Sequence, residues 1–529
     1  MRLRSSATET RPTPPRTALV AALLGVAVTA GAVALAEVLT RVGGTGPGPV
    51  AAVAGVFIDN TPLWLKELAI GWFGTHDKLA LGVGIGVVML LLAVAAGLEE
   101  RRRRYSGGAV VVVLGLVAAL ATVTRPDGGW VAAWPVLVSA VAGALVLVAV
   151  VNPTPGAAAR PAEGAPSEAD APPTGPGRRQ LLRGAGLLVG AAVVGAGVSR
   201  RVGRAPAAAP IALPPPATPA PATPSPATVG ADFGVPGLAP YRTPNADFYR
   251  IDTAFVVPRV DAASWQLRVH GLVDREVRLK LVDLLAAPLT QAWVTLCCVS
   301  NEVGGDLVGN AEWLGLPVRD VLAQAGPRPG ADMVLSRSVD GFTASTPLEV
   351  LTDGRNALLA VAMNGSPLPP EHGYPVRMVV PGLYGYVSAT KWVSELEVTR
   401  FADAAAYWTQ RGWAPRGPVK LSSRIDVPRA GRQLPAGPVT VAGVAWAQHT
   451  GIAAVEVRVD GGAWQPAELA ADVSIDTWRQ WRYPWTATPG AHTLEVRATD
   501  RNGQVQTGRR TDPVPDGATG WHRVDVRVA

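Results

Sequence analysis

The sequence predicts three structural parts: an α-helical membrane region of four to five spans, a mixed α+β domain, and an all-β sandwich at the C-terminal end. Three observations carry this reading. At 529 residues the chain exceeds one domain, because single cores stop growing near roughly 250–300 residues. Apolar residues make up 48% of the chain and charged ones 17%, yet the long uncharged runs are confined to positions 1–200. Beyond residue 231 the apolar residues fall into short Val- and Leu-rich runs punctuated by Gly and Pro, the pattern of strands.

Residues 1–152 read as a four-helix transmembrane region. Thr17–Ala36 is uncharged for 20 residues and follows Arg2, Arg4, Arg11 and Arg16, which fits a span that starts in the cytoplasm. Leu79–Leu98 ends in Glu99, Glu100 and Arg101–Arg104, whose charge places that end in the cytoplasm. Gly107–Thr124 and Trp130–Val151, joined by the turn Arg125-Pro126-Asp127-Gly128, form a hairpin that brings the chain back there. Between the first two runs, Gly43–Lys78 mixes Trp64, Trp72 and Phe73 with Asp59, Lys66 and Glu67, and suits an outer interfacial segment.

Residues 153–183 form a cytoplasmic linker without an apolar face, expected to be disordered, and it holds the pair Arg178-Arg179. A fifth transmembrane helix is expected over 184–199. An arginine pair before a weakly apolar helix resembles a twin-arginine export signal; an ordinary helix with positive flanks is the alternative. Both place the remainder of the chain outside the cytoplasm. Residues 200–230, rich in Ala-Pro and Thr-Pro, read as an extracytoplasmic spacer.

Residues 231–418 are expected to be the α+β domain, with a helix over Leu316–Ala325. Residues 419–529 turn purely strand-like. Val439–Ala445, Ala453–Val459, Gln480–Tyr483, His492–Ala498 and Arg523–Val528 alternate in polarity, and Asp460-Gly461-Gly462 and Asp500-Arg501-Asn502-Gly503 supply turns. Their spacing suits an immunoglobulin-like sandwich without a disulfide.

The formal charge of +7 does not indicate nucleic acid, since the densest basic clusters flank apolar runs and no basic stripe is interleaved with aromatics. The two cysteines, Cys297 and Cys298, are adjacent, so a disulfide between them would close almost no loop. Each is then a small buried hydrophobe or a ligand.

Two segments favour a ligand. Thr295-Leu296-Cys297-Cys298-Val299-Ser300-Asn301-Glu302-Val303-Gly304-Gly305 sets a thiol at a strand end beside a glycine loop, a suitable place for a soft metal. Met363-Asn364-Gly365-Ser366-Pro367 continues through His372-Gly373-Tyr374-Pro375-Val376-Arg377 to Lys391-Trp392, a Pro- and Gly-rich loop that presents donors to an anion.

Together these segments resemble the sulfite oxidase family of molybdopterin enzymes, in which a Cys-x-x-Asn loop supplies a thiolate and a His-Gly-aromatic-Pro-Val-Arg loop grips the pterin. Thr243-Pro244-Asn245-Ala246-Asp247-Phe248-Tyr249 resembles the start of that domain, and Trp521-His522-Arg523 the end of the family's dimerisation domain. The resemblance implies a sulfite-oxidase-type molybdopterin domain that holds a molybdenum–molybdopterin cofactor. Cys298, three residues before Asn301, takes the ligand position on molybdenum, with Cys297 a buried neighbour. It implies cofactor contacts from Asn245, Phe248, Tyr249, Ser338, His372, Arg377, Ala389, Thr390 and Lys391. Arg377 and Lys391 suit a phosphate chemically; His372 could equally bond backbone in its turn.

The implied protein is a multi-pass bacterial cell-membrane oxidoreductase with an extracytoplasmic catalytic domain, acting by oxygen-atom transfer on a small sulfur or other oxo compound. None of the six histidines falls within a spanning run, so the helices do not form a bis-histidine cytochrome, and electron transfer needs a partner, cytochrome or quinone. A homodimer through 419–529 is also implied. The chain departs from sulfite oxidases where Glu302-Val303 and Phe342 stand for an arginine and a tyrosine, and where Tyr386–Thr390 lacks an arginine. A less cationic pocket leaves two readings open, sulfite oxidase proper and a reductase of methionine sulfoxide or another S-oxide. The non-enzyme alternatives are a surface binding module on a membrane anchor and a polytopic sensor.

Overall fold

The computed structural model describes residues 15–44, 46–62, 65, 68, 72, 77–126, 128–152, 211–222 and 230–529. The expected linker over 153–183, its arginine pair and the fifth helix over 184–199 lie outside the described residues. The chain divides into two compact units, Met1–Ala207 with Thr253–Val256, and Ala208–Asp252 with Val257–Ala529.

The first unit is helical: α1 (Pro15–Gly43), α2 (Pro49–Asn60), α3 (Asp77–Arg102), α4 (Ser106–Thr124) and α5 (Trp130–Val151). By length and composition α1, α3, α4 and α5 can each cross a membrane. Small residues set their packing. A Cβ on Gly97 would lie 2.0 Å from the Ala21 carbonyl oxygen, so α1 and α3 approach backbone to backbone. Glu100, which the sequence offers as a mere flank, is fully buried and accepts from the backbone N–H of Tyr105 (2.8 Å) and Gly108 (3.0 Å). It therefore satisfies donors at the start of α4 that the helix itself cannot. In the stretch expected to be interfacial, α2 has 12 residues, too few to span, and its Asp59 pairs with Arg125 at 2.6 Å.

The second unit is built on strands. Its first part carries β1 (Gln266–Gly271), β2 (Val277–Lys280), β3 (Thr290–Cys297), β4 (Val308–Pro317), β5 (Met333–Ser338), β6 (Thr343–Pro347), β7 (Leu358–Met363), β8 (Ser366–Pro367), β9 (Arg377–Val379) and β10 (Val393–Thr399). Three short helices accompany them, α6 (Leu281–Ala286), α7 (Val318–Ala325) and α8 (Leu348–Thr352). One sheet runs β2-β1-β10-β5-β6; the other runs β3-β4-β7-β8, with β9 on β7. The helix expected from Leu316 begins at Val318, because Leu316 and Pro317 still pair with β7 and Pro317 occupies the N-cap. Both faces of β3 and β7 are buried, which explains their continuous apolar runs.

The part of the expected spacer that is described, residues 211–222, does not stand off the domain. Gln291 N–H donates to the Thr218 carbonyl at 2.8 Å, Trp293 Nε1–H donates to the Pro221 carbonyl at 3.1 Å, and Ile211 and Leu213 pack on the core. A Pro-rich extended backbone keeps its carbonyls free, and the edge strand β3 has donors to offer them.

The final part is a two-sheet sandwich of β11 (Ser422–Val427), β12 (Gln433–Leu434), β13 (Gly437–Trp446), β14 (Ile452–Val459), β15 (Gln465–Pro466), β16 (Glu468–Leu469), β17 (Arg479–Ala487), β18 (Gly490–Asp500) and β19 (His522–Val528). The sheets run β11-β13-β17-β16 and β12-β19-β18-β14-β15. Trp481, Val441, Val457 and Val496, all at 0% exposure, fill the core that the alternating pattern anticipates. The sandwich reaches back to β3, where Thr295 N–H donates to the Asp476 carbonyl at 2.9 Å and Thr295 Oγ1 accepts from Trp478 N–H at 2.7 Å.

Candidate cofactor site

The site forms where β3 ends, because strand pairing stops at Cys297 and the chain turns into a loop that closes on itself. Cys298 N–H donates to the Leu307 carbonyl at 2.9 Å, and Leu307 N–H donates to Asn301 Oδ1 at 2.9 Å. Both thiols are buried and free, and burial pushes both above the ordinary thiol range. A thiolate at Cys298 therefore needs a nearby positive charge, such as a metal ion.

Asn245, Phe248 and Tyr249 close one side. Phe248 stacks on Tyr249 at 5.2 Å, meets Trp313 edge-on at 5.8 Å and His372 at 5.7 Å. Burial pushes the Tyr249 phenol well above its ordinary value, with Cys298 adding to the effect. Asn245 accepts from Asn364 Nδ2 at 2.7 Å and donates to the Met363 carbonyl at 3.2 Å. The His372 ring Nε2 lies 2.9 Å from the Asn245 carbonyl, which assigns its proton to Nε2 and leaves Nδ1 an acceptor. Burial, then Arg377, lowers the His372 pKa to about 4, so the ring is neutral near pH 7.

The remaining basic groups come from the first residue of β9 and from the turn before β10. Gly373, at φ +108°, has room for no side chain, since a Cβ would lie 2.9 Å from that of Arg377 and 3.1 Å from that of Lys391. Lys391 donates to Asp252 at 2.8 Å and to the Glu371 carbonyl at 3.2 Å; burial, opposed by Asp252, lowers its pKa to about 8. Ala389 stands across from Tyr249, both close to where a Cβ on Gly385 would sit, at 3.6 and 3.9 Å.

Ser338 and Thr390 stand differently. Ser338 Oγ accepts from Asp340 N–H at 3.5 Å within its own turn, while Thr390 Oγ1 is 2.7 Å from Ser336 Oγ. Their backbones flank Trp392, but their hydroxyls are engaged locally. Asp252 is a neighbour of the candidate site that the sequence does not mark. Asp252 precedes Lys391 by 139 positions, and no local pattern marks the pair.

Arg377 tests whether this cradle fits an anionic cofactor. It is 5% exposed, lies 5.1 Å from the Trp313 ring, and donates only to the carbonyls of Met378, His372 and Ala389 at 3.3–3.4 Å. It has no carboxylate partner among the described residues. Burial lowers its pKa to about 10. A buried cation without a counter-charge is costly, and a phosphate placed there would relieve the cost with paired hydrogen bonds. The residues present fit a molybdopterin.

Residues 254–408 match the family described as oxidoreductase molybdopterin binding domain, and residues 422–496 match bacterial Ig domain. The chain is 33% identical over 178 residues to "Uncharacterized oxidoreductase YuiH" of Bacillus subtilis (strain 168), which spans 34% of this chain and 86% of the relative. It is 30% identical over 341 residues to "Sulfite oxidase, mitochondrial" of Mus musculus, spanning 54% of this chain and 62% of the relative. This chain thus aligns with under two thirds of the length of that curated relative. The sulfane dehydrogenase SoxCD structure from Paracoccus pantotrophus covers 55% of this chain and 82% of its own at 24% identity, with a TM-score of 0.49.

Proposed function

This chain belongs to the sulfite oxidase family of molybdopterin oxidoreductases, and from that premise we propose that it is membrane-anchored and catalyses oxygen-atom transfer on a small sulfur or other oxo compound outside the cytoplasm. The observation that carries the reading is Arg377, a buried guanidinium without a carboxylate partner among the described residues, which acts on the same buried Tyr249 phenol as the buried, free Cys298. When bound, molybdenum–molybdopterin supplies the two-electron oxygen-transfer chemistry. Cys298 is the protein's thiolate ligand. Arg377 and Lys391 hold the phosphate, His372 offers Nδ1 as an acceptor toward the pterin, and Asn245 fixes the imidazole through its carbonyl. Phe248 and Tyr249 wall the cofactor from water. Ala389 and Thr390 contribute backbone, and Ser338 supports the Trp392 turn through the next residue, Val339, whose N–H donates to the Trp392 carbonyl at 3.0 Å.

The four apolar helices support the anchor, and the export-like arginine pair supports the extracytoplasmic placement. Electrons come from a cytochrome or quinone partner when an S-oxide is reduced and pass to it when sulfite is oxidised, and the sandwich, 419–529, serves a homodimer. Glu302 and Val303 on the ligand loop make the approach to the site less cationic than an oxyanion pocket requires. An S-oxide reductase is therefore the favoured activity, and sulfite oxidation the second reading. The test is the full chain, purified in detergent from a host that makes molybdopterin, assayed with reduced viologen and S-oxides and, separately, with sulfite and a one-electron acceptor. About one molybdenum per chain is expected, with turnover in the first assay. A metal-free protein would overturn the cofactor site, and turnover confined to sulfite would overturn the favoured substrate.

A further inference from the structure

The ligand loop is gripped from outside its own domain. Asn301 to Leu307 hangs on Cys298 through bonds at both ends: Asn301 N–H donates to the Cys298 carbonyl at 3.1 Å, and Cys298 N–H to the Leu307 carbonyl at 2.9 Å. Its apex is Gly304-Gly305, and two sandwich residues hold it. Arg424 of β11, 8% exposed, donates from a terminal nitrogen to the Gly305 carbonyl at 2.7 Å. Its Nε is fixed at 2.6 Å on Asp426, whose second oxygen accepts the Ala239 N–H at 3.1 Å. His522, at the start of β19, packs its ring against Gly304, where a Cβ would come within 2.3 Å of it. Its Nδ1 accepts the Ile425 N–H at 3.0 Å, so the ring is locked to the strand that carries Arg424.

Gly304 adopts φ +84°, and this conformation, together with the lack of a side chain, is what lets the ring sit there. The arrangement is one-sided. Within its own domain the loop bonds to itself, Gly305 N–H donating to the Glu302 carbonyl at 2.9 Å, while Arg424 and His522, which meet the apex from outside, lie more than a hundred positions further along the chain. A hydrogen bond from a guanidinium is charge-assisted and strong, and the same charge, shared with Asp426, partly offsets the effect of burial on the neighbouring Cys297 thiol. Movement at Gly305 reaches Cys298 through two short backbone links, so the apex and the thiol cannot shift independently.

We infer that Arg424 and His522 are positioning residues for Cys298: the sandwich fixes the ligand loop and thereby sets the direction in which the thiolate meets the metal. This rests on the assignment of Cys298 as ligand, and it gives the sandwich a task within each chain that is separate from any dimer contact. Both residues act through Gly304-Gly305, the loop atoms they contact.

The experiment compares wild type, Arg424→Gln and Arg424→Lys as full-length holoprotein, with two readouts. Amide hydrogen exchange over residues 301–307 reads the clamp without reference to metal. The sulfur-to-molybdenum charge-transfer absorption, recorded at matched metal content, reads the thiolate geometry. In R424Q, exchange of the loop is expected to rise on the order of tenfold, while the core strand β13 is unchanged. The absorption band is expected to shift, and kcat to fall with KM little altered. R424K, which keeps charge but not the rigid fork, is expected to fall between the two. Wild-type loop exchange and an unshifted band in R424Q would overturn the inference. If R424Q fails to fold, R424K decides by the same two readouts. A wild type without molybdenum would count against the ligand assignment alone, and the exchange measurement would still decide the clamp.

Discussion

The cradle and the sandwich treat arginine in opposite ways. In the sandwich, Arg458, Arg482 and Arg497 reach Glu495, Glu468 and Glu456 at 2.6–2.8 Å, and their charges are cancelled where they stand. In the cradle, Arg377 is more deeply buried than any of these and finds only carbonyl oxygens at 3.3–3.4 Å. The first arrangement is complete within the chain. The second lacks a counter-charge among the described residues, and that difference is what the proposed cofactor site rests on.

The largest expected effect tests whether the cradle is a metal site at all. Cys298→Ser should abolish turnover and the sulfur-to-metal absorption, while Cys297→Ser should keep both, because Cys297 is packed as a core residue. Equal loss in the two variants would erase the distinction between ligand and neighbour. Next in size is Arg377→Met. It should weaken cofactor retention on the order of 10- to 100-fold, measured as pterin per chain after gel filtration, and raise the thermal midpoint of the cofactor-free protein by removing a buried charge that lacks a counter-ion. A lowered midpoint in the cofactor-free protein would show that the guanidinium is already satisfied.

A smaller effect falls on both regions together. His372 in the cradle and His522 in the sandwich are each held at a pKa of about 4, chiefly by burial. Between the unfolded value, about 6.5, and 4, the unfolded chain binds these protons and the native chain does not. Stability therefore falls as pH falls, by up to roughly 1.4 kcal/mol per pH unit for each ring, and levels off below about 4. Denaturant midpoints at pH 7 and 4.5 should show it, and His522→Gln should remove about half of the slope; an unchanged slope would mean that the ring titrates normally. The smallest effect is Arg482→Gln, which breaks an exposed pair with Glu468 and should cost at most about 1 kcal/mol in urea unfolding. A larger loss would show that the sandwich, like the cradle, depends on individual charges.

Much of the architecture was readable along the chain because it is written in local periods. Runs such as Trp130–Val151 become helices, and alternation such as that of His492–Ala498 becomes strand, since burying one stripe or one face needs no knowledge of the partner. Cys298, His372, Arg377 and Lys391 lie in two loops whose composition is unusual, whereas Asn245, Phe248, Tyr249 and Ser338 were nameable only through the family resemblance. The docking of residues 211–222 on β3 was not, because a Pro-rich segment carries no period and the edge it pairs with lies about 70 residues away. Glu100 as the cap of the next helix was hidden for a similar reason: a carboxylate after an apolar run looks the same whether it meets water or backbone.

By itself the sequence determined which segments are apolar helices, which are strands, and which cysteine stands three residues before an asparagine in a glycine loop. Only the tertiary structure decided that Arg377 would be left with carbonyl partners, that Lys391 would meet Asp252, and that Arg424 and His522 would close on Gly304-Gly305. The physical reason is range. Periodicity and turn chemistry act over a few residues, whereas desolvation and ion pairing depend on which distant groups the fold brings within about 4 Å.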